Sequence, residues 1–186
     1  EARGEVAELK DNINTMIDNL RLTTERNTEQ DWLKTNLARF TNMLQGQRDL
    51  STVGRMLLSE LAPLVGAQHG VIYRVAGDGE ATSLRLLSAY ASDGMRGHPE
   101  RLKLGQGLVG QCAQDAERIL ITEMPREITP ISSGVFKVKP KSAIVLPVHF
   151  EGQVKAVIEL ASAGSFTDLQ LSFLDQLTTS IGIVLN

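Results

Sequence analysis

The stretch Leu102-Lys-Leu-Gly-Gln-Gly-Leu-Val-Gly-Gln-Cys-Ala113 places three glycines between a short alternating segment and a helical one. Gly105, Gly107 and Gly110 permit a tight strand-to-helix turn, because glycine reaches backbone conformations closed to residues with a Cβ. Leu108, Val109 and Ala113 then supply an apolar helical face. The spelling Gly-x-Gly-x-x-Gly also occurs in dinucleotide-binding loops, but there it sits inside a strand-helix-strand unit with parallel strands. No such unit surrounds it here, so the glycines are read as backbone geometry and not as a phosphate cradle.

Outward from this stretch the chain alternates short apolar segments with turns. Residues 69–75 alternate Val71, Tyr73 and Val75 against Ile72 and Arg74, and Asp78-Gly79 follows as a hairpin turn; residues 83–91 answer as a second strand. Residues 142–150 and 154–160 flank Glu151-Gly152, with Val154, Ala156, Ile158 and Leu160 on one face and Lys155 and Glu159 on the other. Thr167 with Gln170 forms a capping box ahead of Leu171, Leu174, Leu177, Ile181 and Val184 at helical spacing. Helix, two strands, irregular middle, two strands and helix predict an α+β fold with an antiparallel sheet.

The N-terminal third follows another rule. All six prolines fall between Pro63 and Pro147, and the first 62 residues hold only Gly4, Gly46 and Gly54. Val6, Leu9, Ile13, Met16 and Leu20 recur at spacings of three and four, and a second seam runs through Leu33, Leu37, Phe40 and Leu44. Leu20 and Leu33 lie thirteen residues apart, one short of two heptads, so the seam shifts phase in the polar stretch between them. A helix over the first 45 residues would extend about 70 Å. A narrow apolar stripe of that length needs a partner. The simplest is the same helix from a second chain, so Leu9, Ile13, Leu20, Leu33, Leu37, Phe40 and Leu44 are read as the seam of a parallel homodimer.

Composition narrows the function. The 186 residues are 42% hydrophobic, 22% charged and 4% aromatic, with a net charge of −3 and no basic patch, which speaks against nucleic acid as a partner. The single Cys112 excludes an intrachain disulfide or a multi-cysteine metal cage, and the three histidines show no metal-ligand spacing. No apolar run reaches the roughly 20 residues of a membrane span. The start Glu1-Ala-Arg-Gly carries neither Met nor a signal peptide and reads as a cut from a longer chain.

The glycine stretch, Arg118-Ile-Leu-Ile-Thr-Glu-Met-Pro125, Ser132-Ser-Gly-Val-Phe136 and Pro140-Lys-Ser-Ala-Ile-Val-Leu-Pro-Val148 together resemble a GAF domain. Glu1-Ala-Arg-Gly-Glu-Val and Ile13-Asn-Thr-Met-Ile-Asp-Asn-Leu20 resemble the end of a HAMP domain. The resemblance implies a HAMP end at residues 1–20, a signalling-helix linker at 21–49 and a GAF domain at 50–186. It also implies a place in the cytoplasmic part of a bacterial inner-membrane sensor histidine kinase, of the hybrid type, signalling to a response regulator or receiver domain. ATP and Mg would belong to that parent's kinase module, and this chain is expected to hold no cofactor. The alternative is a free-standing GAF protein that binds a small molecule, or a GAF-type redox enzyme.

No residue is assigned a catalytic or metal-binding role. His69 and His98 read as loop or strand-edge residues, His149 as a surface or packed residue, and Cys112 as a structural thiol without the second cysteine that GAF-type methionine-sulfoxide reductases use. The Asn-Lys pair of GAF domains that bind cyclic nucleotides is missing. If a small molecule binds, the resemblance places its pocket between the sheet and the irregular segment 122–139, with Tyr90, Met124, Ser132, Ser133 and Phe136 as candidates.

Overall fold

The computed structural model describes residues 1–91, 97–125, 131–132 and 137–185. The chain divides into two compact units, Glu1–Arg39 and Phe40–Asn186.

The first unit is made of helix α1 (Ala2–Leu44), which continues past its end. Its composition permits a long helix, since its 43 residues include no proline and only one glycine, Gly4. Val6, Leu9, Ile13, Met16, Ile17 and Leu20 are 47–67% exposed. Leu33 and Leu37 are half-buried. The helix runs unbroken through the polar stretch, where Thr23, Thr24 and Thr28 donate their hydroxyls to the carbonyls of Asn19, Leu20 and Thr24. The phase shift is thus a property of the apolar seam and not a gap in the helix.

In the second unit α2 (Leu50–Leu64) opens on Asp49, whose carboxylate accepts the backbone N–H of Thr52 at 2.9 Å. The hydroxyl and amide of Thr52 hold that carboxyl below its ordinary range. Then come β1 (His69–Ala76), β2 (Ser83–Tyr90), β3 (Arg101–Lys103), α3 (Gly107–Asp115), β4 (Ile119–Ile121), β5 (Ile131–Ser132), β6 (Lys137–Val138), β7 (Ser142–Phe150), β8 (Gln153–Ser162) and α4 (Asp168–Val184). Six strands form one antiparallel sheet in the order β3-β2-β1-β8-β7-β4, and β5 pairs with β6 apart from it. This is a GAF-like α+β fold. The capping box expected at the start of α4 is present: the Gln170 N–H reaches the Thr167 hydroxyl, and the Gln170 side chain accepts the Thr167 N–H at 2.9 Å.

One face of the sheet carries Ile72, Ile144, Leu146, Ile158 and Leu160. Leu57, Leu58 and Leu61 of α2 and Phe173, Leu174, Leu177 and Ile181 of α4 are buried to the same extent. Phe40 packs edge-on against Phe173, ring centroids 5.6 Å apart. Phe40 and Leu44 were read as the end of the dimer seam. Both are fully buried within this unit, so neither is left for a second chain. The sequence pattern misled because the apolar face of a helix looks the same whether its own chain or a copy covers it.

The other face carries Val71, Tyr73, Leu84, Leu102, Val145 and Val157 under Val109, Cys112 and Ala113 of α3. A bulge between Val148 and His149 shifts the pairing with β8, and Val154 packs on this face with Val157 instead of alongside Ala156. Glu151 and Gly152 turn the β7-β8 hairpin with φ of 50° and 75°, as a two-residue primed turn requires. At Asp78-Gly79 a tight hairpin is replaced by a longer connection that includes a 3₁₀ turn at Gly79–Ala81.

The glycine stretch does what its composition predicts. The Gly105 N–H donates to the Gly110 carbonyl at 2.9 Å, and a Cβ on Gly110 would stand 2.5 Å from the Lys103 carbonyl oxygen. Only glycine lets α3 start this close to the end of β3.

Candidate functional site

Antiparallel register decides which side chains share the face under α3. His69, Val71 and Tyr73 alternate along β1, and Glu159 of β8 stands directly opposite Val71 on one side and Val145 on the other. A carboxylate is thereby set into an apolar cross-strand row. Burial pushes the Glu159 carboxyl above its ordinary range, since the charged form loses water without gaining a partner. Glu159 makes no hydrogen bond or ion pair with a described residue.

The segment after β2 returns over this row. The Tyr73 hydroxyl, on a ring that is fully buried, donates to the Pro99 carbonyl at 2.9 Å and so ties that segment to the middle of β1. Burial and then the Glu159 charge raise the Tyr73 phenol, which keeps it a donor. Next to Pro99, the His98 Nε2 lies 3.1 Å from the His69 Nε2. Burial, and for His69 the neighbouring His98, lower both imidazoles, so both rings are neutral at pH 7. His69 Nδ1 is buried and has no partner among the described residues.

These groups line a recess of about 180 Å³ walled by His69, Gly70, Val71, His98, Glu159 and Ala161. An adjoining hollow of about 210 Å³ reaches Tyr73, Leu102 and Val109 and shares Val71, His98 and Glu159 with it. Both lie below the roughly 300 Å³ where pockets for drug-sized ligands begin, so a small molecule or an ion fits the space. A wider hollow of about 600 Å³ runs along the β3 edge between Gly79 and Gln106. Its walls are mostly exposed loop and edge residues, and the convergent half-buried polar groups lie in the smaller recess. We therefore take the smaller one as the site.

The pocket residues chosen from sequence fall elsewhere. Tyr90, half-buried at the end of β2, and Met124, half-buried after β4, are not among the walls of the recess. Ser132 lies in β5, and Ser133 and Phe136 lie outside the described residues. Glu159, His69, His98 and Tyr73 were missed because they come from separate strands and a loop, and alternation with Lys155 made Glu159 look solvated. The available signal was Glu159 standing between Ile158 and Leu160, with α3 left to cover its face. Cys112 is fully buried, and burial followed by the Asp115 charge pushes its thiol up to about 12. It is a packing residue and not a thiolate nucleophile. Among the described residues no three His, Cys, Asp or Glu groups could hold a metal ion, and no helix is long and apolar enough to cross a membrane.

No curated protein matches the chain. Solved structures do. A GAF domain of a phosphoenolpyruvate-protein phosphotransferase from Coxiella burnetii superposes with a TM-score of 0.66 at 15% identity, covering 82% of this chain and 92% of that one. A free methionine-R-sulfoxide reductase from Neisseria meningitidis, in complex with its substrate, gives 0.62 at 16% identity, covering 80% and 85%. Residues 122 to 287 of a methyl-accepting chemotaxis protein give 0.59 at 18%, covering 78% and 94%. At these identities the likeness is one of fold. The GAF domain family itself matches residues 47–186, three quarters of the sequence. The chain therefore belongs to the GAF domain family, whose members serve as sensory domains in signalling proteins.

Proposed function

We propose that this chain is the sensing and relaying part of a two-component sensor histidine kinase, with the end of a HAMP domain at residues 1–20 and a signalling helix leading into the GAF domain. In this reading a small molecule occupies the recess around Glu159, and α1 pairs with α1 of a second copy. A kinase module beyond the chain takes ATP and Mg and passes phosphate to a response regulator or receiver domain. The whole protein would be anchored in the inner membrane, with this part on the cytoplasmic side.

The observation that carries the reading is the apolar stripe of α1. Val6, Leu9, Ile13, Met16, Ile17 and Leu20 are exposed along one helix about 65 Å long. Its own unit leaves that stripe in water, and an isologous partner offers the same stripe in register. A ligand acts on such a pair only by binding one helix packing better than another, so the recess and the seam are two ends of one equilibrium. The polar stretch with its threonines is where the seam changes phase and two packings come nearest in energy. The GAF-type reductase is not adopted as a second reading, because Cys112 is buried, protonated and without a second cysteine.

Native mass spectrometry of the untagged chain tests the pairing, with a dimer expected and Ile13→Glu returning it to monomer. A monomeric wild type at tens of micromolar would defeat it. The kinase setting is tested in the full-length parent by inserting four residues between Leu20 and Leu33. Changed autophosphorylation is expected, and unchanged output would remove the helix from the signalling path.

A further inference from the structure

We propose that His69 and His98 together hold one divalent transition-metal ion, of the class that takes imidazole nitrogen, in the recess beside Glu159. The two residues are 29 apart in sequence, which is why no metal-ligand spacing shows there, and the fold brings their Nε2 atoms to 3.1 Å. Two imidazole nitrogens bound to one ion at about 2.0–2.1 Å stand roughly 2.9–3.4 Å apart, as the angle at the metal opens from a right angle to tetrahedral. The pair already has this bite. A direct N–H···N bond is best when in line, and in line at this distance it would set the ring centroids about 5.4 Å apart. They are 4.9 Å apart with the rings inclined by 60°, so the hydrogen bond between the two rings is bent toward the arrangement that two ligands of a shared ion take.

The surroundings suit a cation. Among the described residues the recess wall holds two imidazoles and one carboxylate, and no Lys or Arg. A neutral imidazole carries a lone pair on one of its two nitrogens. Imidazole nitrogen suits zinc, copper, iron and nickel rather than magnesium or calcium, and zinc is the natural first choice. Because no third His, Cys, Asp or Glu converges among the described residues, the remaining coordination positions are open to water or to an oxygen of a small molecule. Glu159 supplies negative charge beside the ion. The proposal deepens the reading of this recess as the ligand site, and it gives that ligand a Lewis acid to bind to.

The test is titration of the untagged, metal-free 186-residue chain with zinc chloride by calorimetry, and with cobalt(II) chloride by visible absorption. One ion per chain is expected, with a cobalt spectrum that marks nitrogen ligation. His69→Ala and His98→Ala should each weaken zinc binding by more than the roughly tenfold to hundredfold that loss of an outer-shell partner costs. His149→Ala, at an exposed position outside the recess, should bind as the wild type does. His98→Gln serves if His69→Ala fails to fold, since it keeps a polar group of similar size. No stoichiometric binding by the wild type overturns the proposal, as does undiminished binding in a folded His98→Gln. Binding is read directly, so zinc can bind while the dimer test fails, or the reverse, and the two ideas fall separately.

Discussion

The two faces of the sheet in the GAF unit are built from the same strands and obey different rules. The face under α2 and α4 is dry: Ile72, Ile144, Leu146, Ile158, Leu160, Phe173 and Leu177 dominate it, and the hydroxyls of Ser142, Ser162 and Thr178 buried along its margin donate to backbone carbonyls. The face under α3 is apolar too, yet it takes in Glu159, His69, His98 and the Tyr73 hydroxyl. The first face gains free energy from every group it buries. On the second, the half-buried Glu159 loses part of its water and the buried His69 Nδ1 has no partner among the described residues, and such groups are tolerated where they serve something other than stability.

The sharpest way to break this contrast is at the tightest contact of the dry face. A Cβ on Gly182 would overlap the His149 carbonyl oxygen, so α4 lies against β7 backbone to side-chainless backbone. Neither partner is a flexible side chain that can swing away. Gly182→Ala should therefore cost about 3 kcal/mol, at the top of the usual range for overpacking. In a domain of this size that lowers the melting temperature by roughly 6–12 °C. A variant melting within two degrees of the wild type would mean that α4 is free to shift and that this face is looser than its burial says.

On the polar face the sign reverses. The Glu159 carboxyl is raised, so the stability it contributes is fully present below about pH 4.5 and is lost as pH rises through its folded value. At pH 7.5 it is a penalty. Glu159→Gln keeps the shape, removes the charge and should raise the melting temperature, by about 2–4 °C for each kcal/mol recovered. The gain should vanish by pH 4. The histidines work the other way: with both imidazoles lowered, the unfolded chain binds protons first, and stability falls as pH drops below about 6.5. In the wild type the two trends oppose each other between pH 4.5 and 6.5. In Glu159→Gln the loss on acidification should stand alone and be steeper. Equal pH slopes for the two proteins would show that Glu159 is solvated after all.

The same contrast explains what could be read without coordinates. The dry face was legible because burial repeats at fixed spacing: Ile158 and Leu160 announce a strand, Leu174, Leu177 and Ile181 a helix, and Thr167 with Gln170 its start. The glycines from Gly105 to Gly110 were legible for a local reason, since the backbone alone demands them. The site was not. His69, Tyr73, His98 and Glu159 meet only through strand register and a returning loop, and no spacing records that. Phe40 and Leu44 failed for a related reason, since a helical stripe states that it must be covered and is silent about what covers it.

The smallest expected effect lies where the dry face runs out beyond its helices. Arg74 pairs with Arg85, and Arg85 with Arg101, so three exposed arginines stand in one row across β1, β2 and β3. Like charges directly opposite on neighbouring strands repel, and the Arg101 Nε turns aside to donate to the Ser83 hydroxyl at 3.1 Å. Removing the middle charge leaves the outer two farther apart with a neutral residue between them. Arg85→Gln should then stabilise the domain by about 0.2–1 kcal/mol in dilute buffer. Because these charges are exposed, most of that gain should disappear at 1 M salt, where the screening length falls to about 3 Å. A gain unchanged by salt would trace the effect to packing or strand propensity. A loss of stability would mean that Arg85 covers apolar surface with its stem, and that the dry face extends one residue row further than its helices reach.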